Sequence, residues 1–214
     1  MFECYDDVIQ LVHLINSMHF KFSTRNKSYL NYNLKSNQVK LVVNDNVVDQ
    51  KLKLAIDQYK ELLNRYIGEI VSELRLKFPN YFVRCRIKQA ESISEKLLYY
   101  TGAEHENGNV SLNKCLNDFL GLRIIVPDFL VIWDRLENDL KSTNMRARYR
   151  ELEGYRAIHV YFKNGNNKFF PWELQIWNEK YAETNELSHK KHKQKRKYIG
   201  IPKGYYDADL ERRG

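Results

Sequence analysis

The sequence predicts an α/β (α+β) domain: a mixed β-sheet flanked by helices, with extra helices ahead of it. Three observations carry this. Apolar residues recur at spacings of three and four from Val47 to Phe78. Five short apolar or alternating runs follow. Helical stretches lie between several of those runs, and helices followed by interleaved strands and helices imply a mixed sheet.

A first helix is expected at about 5–18, and the polar "KFSTRNKSYLNYNLKSNQ" after it reads as a loop with some extended structure. In the long helix, Leu52, Ile56, Tyr59, Leu63, Tyr66, Ile70 and Leu74 form one apolar stripe, and Pro79 and Asn80 end it. "YFVRCRI" (81–87) alternates like a strand, and "ESISEKLLYYTG" reads as a helix closed near Gly102. Residues 103–113 are a polar loop. "FLGLRIIV" (119–126) is a buried strand, and Pro127 and Asp128 open a helix to about Leu140. "NMRARYREL", "GYRAIHVYF" and "KFFPWELQIW" are three successive strands, the last two joined by a turn at "NGNN" (164–167). A final helix starts near Asn178 and carries the basic run "HKKHKQKRK" (189–197).

With 43% hydrophobic and 29% charged residues in 214, the chain can bury a substantial core. No apolar run approaches the roughly 20 residues of a membrane span. "MFECYDDVIQLVHLIN" puts acids ahead of its apolar residues, unlike a secretory signal. Cys4, Cys85 and Cys115 are odd in number and widely spaced, which suits neither a disulfide framework nor a zinc site. A cytoplasmic protein is expected. The net charge of +8 favours anionic partners. The basic run at 189–197 is either a solvated helix end or part of an anion-binding surface.

Two acids stand in apolar surroundings. Asp118 is at the entrance of a hydrophobic strand, and Glu173 lies inside "FFPWELQIW". Carboxylates at the edges of neighbouring strands suit divalent-metal binding and general-base work. Equally, Asp118 could cap a turn and Glu173 face solvent, since alternation separates Trp172, Leu174 and Ile176 from Glu173, Gln175 and Trp177. Arg84, Arg86 and Lys88 share a strand face by period two, and Ser92 and Lys96 share a helix face at i, i+4. Such cations can converge on a triphosphate or simply form a solvated basic edge. Arg123 adds a cation beside Asp118, and Gly121 between them allows a close backbone approach.

These spacings resemble a known family. R-x-K-x-x-x-S-x-x-x-K (Arg86, Lys88, Ser92, Lys96), D-x-x-G-x-R (Asp118, Gly121, Arg123), G-Y-R-x-x-H (Gly154 to His159) and E-x-Q-I (Glu173 to Ile176) follow the order found in the synthetase domain of RelA/SpoT proteins. The chain looks like a small alarmone synthetase, with an N-terminal helix and polar segment (1–46), a synthetase domain (47–197) and a tail (198–214). The resemblance implies a nucleotidyltransferase-like sheet and ATP-dependent transfer of the β,γ-diphosphate to a ribose 3′-hydroxyl, with Mg²⁺. By position it implies ATP binding by Arg86, Lys88, Ser92, Lys96 and Arg123. Asp118 and Glu173 would hold the metal, with Glu173 the base toward the hydroxyl. Tyr155 would stack on the acceptor base, and Arg156, His159 and Gln175 would line the acceptor pocket.

The sequence also departs from that family. Alarmone synthetases carry a proline-lysine pair before the glycine-tyrosine, whose lysine meets the 5′-diphosphate of GDP or GTP. Here "RYRELEGYR" puts Glu151 and Glu153 there, and these repel 5′-phosphates unless Arg148 or Arg150 compensates. Trp177 replaces a usual arginine, and Lys96 and Asp118 lie 22 positions apart, more than expected. The departures leave the ATP half intact and fall on the acceptor half. The toxic small alarmone synthetases modify the 3′-end of tRNA, which has no 5′-diphosphate to hold. That acceptor is the favoured expectation, with Lys191, Lys195 and Arg196 gripping the RNA and an acidic antitoxin as partner. A (p)ppGpp synthetase acting on GDP or GTP is the alternative, and an inactive RNA-binding module the third reading. Some small relatives form tetramers, so a homo-oligomer is one option, though no pattern in the N-terminal 45 residues assigns an interface.

Overall fold

The computed structural model describes residues 2–28 and 31–188. Helix α1 (Phe2–Arg25) is longer than the spacing suggested, because its apolar stripe continues through Met18 to Phe22, both buried. After a bend come a short α2 (Val39–Val42) and a small hairpin, β1 (Val43–Asn44) with β2 (Val47–Val48). Its turn residues Asp45 and Asn46 both have positive φ, 48° and 63°, as a type I′ turn requires. α2 and β1 lie between the stretch expected as a loop and the long helix expected from Val47, and β2 takes the first residues of that helix.

The long helix α3 (Gln50–Lys77) starts at Asp49, whose carboxylate accepts from the backbone N–H groups of Lys51 and Leu52. Such a cap is worth about 1 kcal/mol. Its stripe, from Leu52 to Leu74, is buried as expected. Tyr59 on that stripe donates to Phe170 O at 2.8 Å and accepts from Trp172 Nε1 at 2.9 Å, so its hydroxyl is satisfied inside the core.

The main sheet has five strands in the order β3-β4-β7-β6-β5. They are β3 (Arg84–Ile87), β4 (Leu120–Val126), β5 (Arg146–Leu152), β6 (Tyr155–Phe162) and β7 (Trp172–Asn178). β4 and β7 are parallel and the other neighbours antiparallel, so the sheet is mixed as expected. Helix α4 (Ala90–Tyr99) links β3 to the polar segment, which holds a 3-10 turn (Ala103–Gly108) and a short α5 (Leu112–Cys115). Helix α6 (Leu130–Leu140) links β4 to β5.

β5 and β6 form a tight hairpin on Glu153 (φ 49°) and Gly154 (φ 83°). Between β6 and β7 the turn closes with Asn166 N–H donating to Lys163 O, but β7 begins only at Trp172. Phe169 and Phe170, expected in that strand, are instead buried loop residues packed around Tyr59. After β7 a 3-10 turn (Glu179–Tyr181) leads into a helical segment at 182–188. The basic run, with Lys191, Lys195 and Arg196, lies outside the described residues.

Alternation gives the sheet two different faces. Leu120, Leu122, Ile124, Ile158, Val160, Phe162, Trp172, Leu174 and Ile176 project into one core shared with α1, α3, α4 and α6. Each such side chain contributes about 1.5–3 kcal/mol on burial. The opposite face carries the polar residues.

Candidate active site

Residues paired in register project to the same side of a sheet. Gly121 stands opposite Glu173 and Arg123 opposite Gln175 across β4–β7. Glu173 stands opposite Tyr161, Gln175 opposite His159 and Trp177 opposite Ala157 across β7–β6. Arg86 and Arg84 pair with Gly121 and Arg123 on one flank. Arg146, Arg148 and Arg150 pair with Tyr161, His159 and Ala157 on the other. One sheet face therefore holds two carboxylate-bearing clusters between two edges of arginine.

The first cluster centres on Asp118, two residues before β4. Lys88 Nζ donates to its Oδ2 at 2.5 Å and Lys96 Nζ to its Oδ1 at 2.9 Å, with Lys96 also donating to Asn117 Oδ1 at 3.0 Å. Lys88 sits just past the end of β3, its backbone N–H held by Phe119 O. It is buried while Arg84 and Arg86 are exposed, so of the three cations Lys88 alone reaches Asp118. Burial works against the charged form of Asp118, but Lys96 and Lys88 outweigh it and hold its pKa well below the usual carboxylate range. Burial pulls Lys88 down, against the attraction of Asp118. For Lys96 that attraction outweighs burial and the pKa rises. Ser92 is half-buried one turn before Lys96 on α4.

The second cluster is a chain. Glu173, 5% exposed, takes a hydrogen bond on Oε1 from His159 Nδ1 at 2.8 Å and on Oε2 from Gln175 Nε2 at 2.9 Å. His159 Nε2 lies 2.9 Å from Tyr155 Oη. With a proton on Nδ1 the ring donates to Glu173, and its Nε2 meets the Tyr155 hydroxyl. Burial raises the Glu173 carboxyl, and the His159 contact more than offsets it, so the group is held below its ordinary value. Glu173 thus belongs to a buried polar network and does not face solvent. Tyr155 is buried too, its ring edge-on to Trp177 at 6.1 Å in a small cluster with Ala157. Burial and the nearby Glu173 push its hydroxyl pKa upward.

The Arg123 guanidinium carbon sits over Trp177, 3.5 Å from the ring centroid, and the group donates to Gln175 Oε1 through Nε and Nη2. Its Nη1 donates to Glu186 Oε1 at 2.7 Å. Arg84 donates to the same oxygen at 2.8 Å. Arg156 is drawn away from the sheet face: it pairs with Glu151 at 2.6 Å and donates to Tyr181 Oη. Arg150 donates to Tyr161 Oη. Neither Arg146 nor Arg148 has an acidic partner among the described residues.

Sequence reasoning singled out Asp118, Glu173 and the lysines, and the fold brings them to one region. Asn117 and Tyr161 were not singled out. Glu186 could not be, since it reaches Arg123 across 63 positions. Mg²⁺ is bound through one or two carboxylates plus substrate phosphates. Asp118 accepts one hydrogen bond on each oxygen, from Lys88 and Lys96, and keeps a lone pair on each; Glu173 accepts from His159, Gln175 and Tyr161 and keeps one site, which fits that pattern. Among the described residues no group of three or more His, Cys, Asp or Glu side chains is placed to hold a metal unaided.

No family model and no curated protein matches this chain. Solved structures do. The small alarmone synthetase 1 from Bacillus subtilis bound to its product pppGpp is 21% identical, with a TM-score of 0.43 over 65% of this chain and 83% of that one. A GTP pyrophosphokinase family protein from Streptococcus pneumoniae is 23% identical, with a TM-score of 0.41 over 73% and 83%. The type VI effector Tas1, solved with its immunity protein, is 16% identical, with a TM-score of 0.36 over 75% and 91%. No helix of the described residues is long and apolar enough to cross a membrane.

Proposed function

We propose that the protein is an ATP-dependent pyrophosphotransferase that moves the β,γ-diphosphate of ATP onto a ribose 3′-hydroxyl, releasing AMP. The observation that carries this is the pairing of two different carboxylates in one region. Asp118 is clamped by two ammonium groups, and Glu173 is buried and oriented by His159 and Gln175. The four motifs that resemble the RelA/SpoT synthetase domain support the same reading.

Transfer of a diphosphate needs positive charge around the moving oxygens far more than covalent catalysis. Lys88, Lys96 and Arg123 supply it, with Arg86 and Ser92 on the approach. Mg²⁺ held by Asp118, Glu173 and the phosphates would neutralise charge on the transferring group. Glu173 accepts the proton of the attacking hydroxyl as the new O–P bond forms and the bond to the α-phosphate oxygen breaks. His159, fixed by Tyr155, holds the carboxylate in place for that transfer.

The favoured acceptor is the 3′-end of tRNA. Arg156, the cation nearest the acceptor tyrosine in sequence, is neutralised by Glu151. That takes one cation away from the 5′-phosphates of a guanosine nucleotide and leaves Arg148, opposite His159, to meet them in the second reading. Arg146 and Arg148, without acidic partners among the described residues, give an RNA backbone a cationic edge beside the site. Lys191, Lys195 and Arg196 would extend it. A role as a toxin beside an antitoxin follows from this acceptor, since capping the 3′-end of tRNA stops translation. Synthesis of (p)ppGpp is the second reading, and it keeps the same donor half.

The test is purified protein with γ-labelled ATP and either deacylated tRNA or GDP and GTP. Label in tRNA alone supports the proposal. Label in guanosine tetra- or pentaphosphate alone gives the second reading, and label in neither overturns both.

A further inference from the structure

Arg84 and Arg123 are register partners on β3 and β4, so two guanidinium groups project side by side from one face. Like charges placed directly opposite destabilise a sheet. The chain supplies the missing anion itself. A single oxygen, Glu186 Oε1, accepts from Arg84 Nη1 at 2.8 Å and from Arg123 Nη1 at 2.7 Å. The backbone that presents it is fixed. Asn185 is fully buried, accepts from Arg156 N–H and donates to Arg156 O, both at 2.8 Å, pinning the 182–188 segment to the start of β6. The Glu186 side chain is 42% exposed, so its carboxylate can swing off the arginines while the segment stays in place.

We infer that Arg84 and Arg123 form a seat for a phosphoryl group of the donor nucleotide, and that Glu186 is a built-in competitor which occupies the seat until phosphate displaces it. The identity of the anion rests on the pyrophosphate-transfer reading; the seat and its occupant rest on the geometry. One carboxylate oxygen bridging two guanidiniums is the contact a phosphoryl oxygen makes. A phosphoryl group brings more charge and more oxygens, so it wins when present. Glu186 thereby sets the threshold of donor concentration at which the site fills.

The experiment is calorimetric titration of the purified full chain with inorganic tripolyphosphate, and separately with ATP, at low ionic strength. Glu186→Gln keeps the shape and removes the charge, and it should tighten tripolyphosphate binding about three- to five-fold, as for loss of an exposed competing ion pair. Arg84→Ala should weaken binding, and Glu186→Gln should gain little in that background. Equal or weaker binding by Glu186→Gln, with an unchanged melting temperature, overturns the inference and means the residue only anchors its segment. A tighter Glu186→Gln with no label transfer from ATP keeps the seat and removes the pyrophosphotransferase reading. Transfer with unchanged affinity does the reverse.

Discussion

Gly121 and Glu173 face one another across the parallel β4–β7 pair, and the glycine leaves open the space beside the carboxylate. A β-carbon at 121 would meet nothing nearer than Arg86 O at 3.8 Å, and the glycine φ is not in the left-handed region. The backbone therefore does not require glycine there. The room above the sheet does, if a nucleotide is to lie against Glu173. Gly121→Val should leave the melting temperature within a few degrees and cut transfer by about 100-fold or more, the effect of displacing a reactant by roughly an ångström. Full activity in a folded Gly121→Val protein would move the substrate off this face.

Glu173 and its chain give a graded series. Glu173→Gln should reduce label transfer by about 10²–10⁴-fold, the usual contribution of a general base. Tyr155→Phe removes the hydroxyl at the far end of the chain and should cost about five-fold, near the net value of one hydrogen bond. The ordering matters more than either number. If Tyr155→Phe lost as much as Glu173→Gln, the tyrosine would be acting on the substrate directly.

Asp118 is tied to stability as well as chemistry. Asp118→Asn leaves Lys88 and Lys96 charged and largely buried beside a neutral amide. Removing one partner of a buried ion pair costs about 3–5 kcal/mol. Chemical denaturation should show that loss at neutral pH, together with loss of transfer. Lys88→Met and Lys96→Met together with Asp118→Leu should recover much of the stability and none of the activity.

The parts of this fold that were legible follow repeating patterns. The α3 stripe and the alternation of Glu173, Gln175 and Trp177 against Trp172, Leu174 and Ile176 both repeat at the period of their element. What was missed depends on contacts distant in sequence. Phe169 and Phe170 look like strand residues until Tyr59, more than 100 positions earlier, captures the Phe170 carbonyl. Lys88 follows the period of Arg84 and Arg86, yet the strand stops at Ile87 and its ammonium turns inward to Asp118. No periodicity reports a carboxylate such as Glu186, because its partners lie on other strands.

His19 makes acid stability predictable. It is fully buried on α1, 3.3 Å from Phe170 O through Nε2 and 2.6 Å from Asn164 Nδ2 through Nδ1. The neutral ring meets both, donating from Nε2 and accepting at Nδ1. Burial, only partly opposed by the Phe170 carbonyl, lowers its pKa from 6.5 to about 4. The folded value lies below the unfolded one, so the unfolded chain binds the extra proton between those values. Stability is complete above pH 6.5 and falls as pH drops toward 4, by about 3 kcal/mol in all. Denaturation curves across that window should show the slope, and His19→Gln should flatten it even though its stability at pH 7 is lower.

The acceptor half yields the most direct test of specificity. Glu151 neutralises Arg156 beside the tyrosine of the hairpin, and both side chains are more than a third exposed. Glu151→Lys removes one negative charge, adds a positive one and releases the guanidinium. Exposed charges act only weakly on a neighbouring phosphate, so the change shifts the preference severalfold. The ratio of transfer onto GTP to transfer onto tRNA should rise by that factor, and the rise should shrink at high salt as the charges are screened. A ratio that does not move would mean that Glu151 and Arg156 lie off the path of the acceptor phosphates, and the acceptor would then have to be set by the arginines of β5.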